Sequence, residues 1–203
     1  MRTTTFLRTL SARGSLSLAL MLAGVAAAGC VDPALMPTAP GARSSVASSG
    51  RVGLGFNGDV AGFPTGVVRL TGGGSYAPAT ASNASGAETD VRSAGGFDCV
   101  TSVAQGPLAG CAAGEGVRWD TSQLLTSTTF KCTGAAAEPL KTATTGDDTA
   151  VLQADFYRAG DGTDESFTAK IIVSATDLAP DIPGSQTLWV QGVGCGTANV
   201  NFN

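Results

Sequence analysis

The sequence predicts an all-β fold, one antiparallel β-sandwich or barrel-like domain, and three observations predict it. Charged residues are only 14 % of the chain and glycine is 28 of 203 residues, against about 25 % and about 7 % in ordinary soluble domains. Short runs rich in Val, Thr and Phe alternate apolar and polar positions, with glycine-rich turns between them. The pair Asp161-Gly162 stands between the two clearest of these runs, where a hairpin turn belongs.

Residues 1–29 stand apart from this pattern. Arg2, Arg8 and Arg13 make a basic opening without an acidic residue, and an apolar run over 16–28 follows. That run is too short to span a bilayer as a helix, and its flanks are those of an export signal. It ends in Ala27-Ala28-Gly29-Cys30. This segment resembles the lipobox of bacterial lipoproteins, although Ala27 stands where leucine is favoured. The resemblance covers only the signal region. It implies that the Cys30 thiol carries a diacylglyceryl group, that the signal is cut just before it and that acyl chains such as palmitate hold the mature chain at a membrane. Val31 follows where an aspartate would favour retention at the inner membrane, so the resemblance implies the outer membrane in a Gram-negative cell. An ordinary secretory signal cut after Ala28 is the alternative, with a secreted protein and a stray thiol at Cys30.

Residues 30–50 are rich in Pro, Ala and Ser and show no periodicity. They read as the anchored cysteine and a tether spanning roughly 25 Å as a coil. Residues 51–203 form the β-domain. Strands are expected over 52–56, 66–71, 96–104, 117–119 and 128–133, with 77–95 as a long unpatterned loop. Asp120 is a plausible N-cap for the one short helix expected, 120–125. The hairpin comes next. Leu152, Ala154 and Phe156 share one face of the run 151–158, opposite Gln153 and Asp155; Phe167, Ala169, Ile171 and Val173 share one face of the return, 166–173, opposite Thr168 and Lys170. Strands over 187–194 and 198–202 complete the domain.

The chain has five cysteines. With Cys30 acylated, Cys99, Cys111, Cys132 and Cys195 remain, an even set suited to two disulfides in an oxidising compartment. Four cysteines permit three pairings, between which sequence does not choose. The expected arrangement is Cys99–Cys111 as a local clamp and Cys132–Cys195 as a staple for the last strand.

Removing the signal leaves nine basic against sixteen acidic residues, a net charge of −7, which disfavours nucleic acid as a partner. Histidine is absent, so no Ser-His-Asp site and no histidine metal ligand exist. Gly53-Leu54-Gly55-Phe56-Asn57-Gly58 matches a dinucleotide-binding pattern but lacks the strand before it and the helix after it that give the pattern meaning. Gly72-Gly73-Gly74 reads as a turn or bulge rather than an anion cradle, because no Lys or Arg follows closely. The acidic turn Asp161, Asp164 and Glu165, with Asp147 and Asp148 before the hairpin, offers oxygen ligands for calcium on a glycine-rich loop. It lacks EF-hand spacing, and a solvated turn is its plain alternative. Asp155 near Tyr157 offers a carboxylate for glycoside cleavage. Trp119 and Trp189 read as a sugar platform or, more simply, as core.

The expected function is that of an exported, lipid-anchored, non-enzymatic surface or binding module with a protein or glycan partner left unidentified. A carboxylate-dependent glycoside hydrolase and a calcium-stabilised adhesion module are the alternatives. No catalytic residue is assigned.

Overall fold

A computed structural model describes residues 50–64, 66–158 and 166–203. Eleven strands are present among them: β1 (Val52–Gly62), β2 (Val67–Tyr76), β3 (Val91–Thr101), β4 (Arg118–Leu124), β5 (Ser127–Phe130), β6 (Lys141–Thr144), β7 (Thr149–Tyr157), β8 (Ser166–Ser174), β9 (Leu188–Val190), β10 (Gly194–Gly196) and β11 (Ala198–Phe202). Nine form one antiparallel sheet in the order β10-β9-β8-β7-β4-β3-β2-β1-β11, and β10 also pairs with β1. That last pairing turns the sheet into a ring. Its register runs from Gly62↔Gly194 and Ala61↔Cys195 to Gly58↔Ala198 and on to Leu54↔Phe202 without a shift. Thus β10 and β11 follow β1 as one interrupted closing strand, and the ring is an up-and-down barrel. The all-β expectation holds, with a barrel as its form. Closure through β10 pairs strand edges that an open sheet would expose to other chains, and β11 keeps one strand neighbour, β1.

Side chains fill the barrel. Leu54, Phe56 and Val60 of β1 point inward with Val68, Leu70 and Tyr76 of β2, and Leu152, Ala154 and Phe156 of β7 meet Ala169, Ile171 and Val173 of β8 there. Fully burying one Leu, Val or Phe is worth about 1.5–3 kcal/mol, so this interior is the main source of stability. Trp119 occupies its centre, fully buried, and its Nε1 donates to the Thr71 carbonyl at 3.1 Å. The glycine run explains how the indole fits: a Cβ on Gly72 would overlap the Trp119 ring. The expected turn at 72–74 is therefore corrected. These glycines lie in the middle of β2, paired with 54–56 on one side and 93–95 on the other.

The expected helix at 120–125 is also corrected, because those residues belong to β4 and the turn after it. The pairing of β4 with β7 shifts between Thr121 and Gln123. This bulge breaks the two-residue alternation and buries Leu124 and Leu125 in succession, Leu124 inside the barrel and Leu125 outside it. Two adjacent buried leucines imitate a helical face. The long loop is shorter than expected, since β3 begins at Val91, and β6 was not anticipated. Hairpin strands β7 and β8 pair from Thr149↔Ser174 to Tyr157↔Ser166, and the Asp-Gly turn between them lies outside the described residues.

Both expected disulfides are formed. Cys99–Cys111 clamps the connection between β3 and β4, which folds Val103 and Leu108 into the main core. Cys132–Cys195 joins the end of the β5–β6 hairpin to β10. That hairpin is an insertion between β4 and β7. It packs on the outside of the barrel, where Leu125, Phe130, Ala143, Val151, Ile172 and Trp189 form a second apolar cluster with the bridge. Val151 of β7, Ile172 of β8 and Trp189 of β9 are thus buried on the outer face as well.

Candidate functional site

The expected lipid site, Cys30, and the expected calcium ligands Asp161, Asp164 and Glu165 lie outside the described residues. Asp148 sits in the turn before β7, where its Oδ1 accepts from Thr149. Among the described residues no group of three or more His, Cys, Asp or Glu stands close enough to hold a metal ion. Asp155 lies on the outer wall directly opposite Asp120 of β4, and Thr168 Oγ1 donates to it at 2.7 Å. The Arg118 guanidinium covers the Tyr157 ring, 4.8 Å from its centre. Trp119 and Trp189 belong to different clusters, inside and outside the barrel, so they form no shared platform. Gly53 to Gly58 are strand β1 with no helix after them.

The site that the fold does build is a groove where the inserted hairpin meets the barrel wall. It encloses about 410 Å³, within the range of small-molecule pockets, ≈ 300–1,000 Å³. Its apolar lining comes from Phe63, Phe130, Leu140 and Trp189, and its charge from Lys131 and Lys170. Leu140 stands on the rim, 65 % exposed. Phe130 rests against the Trp189 indole with ring centres 5.6 Å apart. Trp189 Nε1 donates to the Lys131 carbonyl at 2.8 Å, which fixes the hairpin strand to β9. Elsewhere in the lining, Gly106 and Gly192 touch back to back: both adopt positive φ, and a Cβ on either would overlap the other backbone.

A buried carboxylate braces the wall. Glu138, in the connection between β5 and β6, accepts from the Cys132 and Thr133 backbone N–H groups at 2.6 and 2.7 Å and from Thr133 Oγ1 at 2.7 Å. Lys141 Nζ donates to it at 3.1 Å and also pairs with Asp181 at 3.0 Å. Burial works against the Glu138 charge, but the bonds from Thr133, Cys132 and Lys141 outweigh it and hold the carboxyl down at about 2. A depressed pKa stabilises the fold fully above the unfolded value near 4.5 and loses that contribution as pH falls towards 2. Glu138→Gln is therefore expected to cost about 1–3 kcal/mol at pH 7. Melting curves at falling pH check it: the gap between the native chain and the variant closes between about pH 4.5 and 2.

Lys131 Nζ donates to the Ala135 and Ala136 carbonyls at 3.0 and 3.3 Å, and Lys170 Nζ to Thr128 Oγ1 at 3.3 Å. Among the described residues no Asp or Glu lines this groove. Lys170 also borders a second, polar hollow of about 260 Å³ that includes Asn83, Gln123 and Gln153. Sequence reasoning missed this site. Phe63, Lys131, Lys170 and Trp189 are scattered along the chain, and only barrel closure and the insertion bring them together.

Comparison with protein-family models, curated proteins and solved structures finds no match.

Proposed function

We propose that this chain is an exported, lipid-anchored cell-envelope protein whose barrel acts as a non-enzymatic binding module. Sulfur use carries the reading. The two bonds consume four of the five cysteines, and the fifth is Cys30, at the end of the signal-like segment. Paired cysteines belong to an oxidising compartment. Acyl chains contribute roughly 0.8 kcal/mol per buried CH₂, so two or more anchor a domain at a bilayer. The Pro-, Ala- and Ser-rich composition of residues 31–50 suits a tether between the anchor and the barrel. A filled interior leaves recognition to the outer surface, where the groove beside Trp189 is a concavity with an apolar lining and placed charges.

Cell fractionation tests the anchor. The native chain is expected in the membrane fraction, and Cys30→Ala is expected to move it to the soluble fraction. Unchanged membrane association of Cys30→Ala, in protein whose mass shows that residues 1–29 have been removed, would contradict the proposal.

A further inference from the structure

We infer that the groove between the β5–β6 hairpin and the barrel wall binds an apolar carboxylate, a molecule with a hydrocarbon body and one terminal carboxylate group. The inference deepens the binding-module reading and rests on it. Charge placement argues for the anion. The chain is acidic overall, with 12 basic against 16 acidic residues, and has three lysines. Two of the three line this groove, and among the described residues no carboxylate lines it with them. The third, Lys141, is neutralised by Glu138 and Asp181. In β8, Lys170 faces Gln153 across one strand pair, and its backbone N–H donates to Gln191 Oε1 on the other side, so neither neighbour supplies a counter-charge.

Donor count argues that the anion can be held. An ammonium group carries three N–H donors. Lys131 uses two on carbonyls and Lys170 one on a hydroxyl, which leaves a donor on each for an anion in the groove. Shape argues for the body. Phe63, Phe130, Leu140 and Trp189 offer an apolar wall on one side of Lys170, and the amides of Asn83, Gln123 and Gln153 border it on the other. An amphiphile with its head at Lys170 and its chain against Trp189 matches both halves. The wall is already ordered by the Cys132–Cys195 bond, the Glu138 brace and the Trp189 hydrogen bond, so little freedom is lost on binding.

The test uses the mature chain, residues 30–203, carrying Cys30→Ala, so that neither lipid, signal nor detergent competes, with both disulfides intact. It is titrated with terminally brominated decanoate while tryptophan emission is followed. Saturable, partial quenching is expected, because Trp189 lines the groove and Trp119 is sealed inside the barrel. The methyl ester of the same probe is expected to bind at least about tenfold more weakly, and so is decanoate to Lys131→Gln with Lys170→Gln, since each removes charge-assisted hydrogen bonds. Leu140→Glu, at an exposed rim position that leaves the core untouched, is expected to weaken binding by a similar factor. Quenching that does not saturate, equal binding of acid and ester, or unchanged affinity in the lysine variant with native melting overturns the inference. Loss of binding together with normal release of Cys30→Ala from the membrane overturns the groove alone and leaves the anchored-module reading standing.

Discussion

Removing the Cys132–Cys195 bond by Cys132→Ala with Cys195→Ala is expected to destabilise the domain by roughly 4 kcal/mol. The bond closes a loop of 63 residues, and chain-entropy reasoning assigns a loop of that length roughly 4 kcal/mol. Both cysteines are buried in the outer apolar cluster, so alanine leaves no hydroxyl without a partner there. The loss is expected to be uneven. The inserted hairpin's strands pair only with each other, β5 with β6, and it is held to the barrel by this bond, the apolar cluster, the Trp189–Lys131 and Lys170–Thr128 hydrogen bonds and the Lys141–Asp181 ion pair. Hydrogen exchange should therefore show β5 and β6 opening first while β7 and β8 stay protected. The matching change at Cys99 and Cys111 closes a loop of only 12 residues and is expected to cost less, roughly 3 kcal/mol by the same reasoning. Urea unfolding of the two variants side by side checks the order. An equal or reversed order would mean that the hairpin is held by its non-covalent contacts without need of the bond.

Trp119→Ala is expected to cost about 3–5 kcal/mol, as truncation of a buried large aromatic does. The indole is the largest fully buried side chain in the barrel. It stacks on Phe56 with ring centres 5.8 Å apart and satisfies the Thr71 carbonyl. The surrounding backbone cannot collapse into the space, because β2 and β3 already approach closely: a Cβ on Gly95 would overlap the Thr71 carbonyl. At about 2–4 °C per kcal/mol for a domain of this size, the melting temperature should fall by roughly 6–20 °C. A loss under about 1 kcal/mol would mean that the interior is not packed as described. Both variants also bear on the groove, in opposite ways. The bridge variant loosens one groove wall and should weaken decanoate binding, whereas Trp119 lies on the other side of the barrel wall and its truncation should leave binding intact in the folded fraction.

The sequence is most legible where one face of a strand is buried and the other is wet. The run from Leu152 to Phe156 alternates cleanly, and its expected inward face is the one found. Residues 198–202 were expected as a strand and form β11 with those bounds. Legibility falls where both faces are buried. Leu124 and Leu125 enter two different clusters around a bulge, which two-residue periodicity cannot distinguish from a helical turn. It falls again where tertiary contact overrides local preference. Gly72 looks like a turn residue until the Trp119 ring is placed over it. Strand β6 carries a single buried apolar residue, Ala143, too little pattern to read. Closure of the ring depends on pairing β1 with β10 and β11, from opposite ends of the domain, and no local signal encodes it. The groove inherits that difficulty, since Lys131 and Lys170 reach it only after the insertion has docked.

The measurement that bears most directly on the central claim is the intact mass of the protein recovered from growing cells. The account predicts a chain that begins at Cys30, carries the added mass of acyl groups and is lighter than its fully reduced form by the four hydrogens that two disulfides remove. A chain that retains residues 1–29, or one whose four downstream thiols are all reduced, would contradict it.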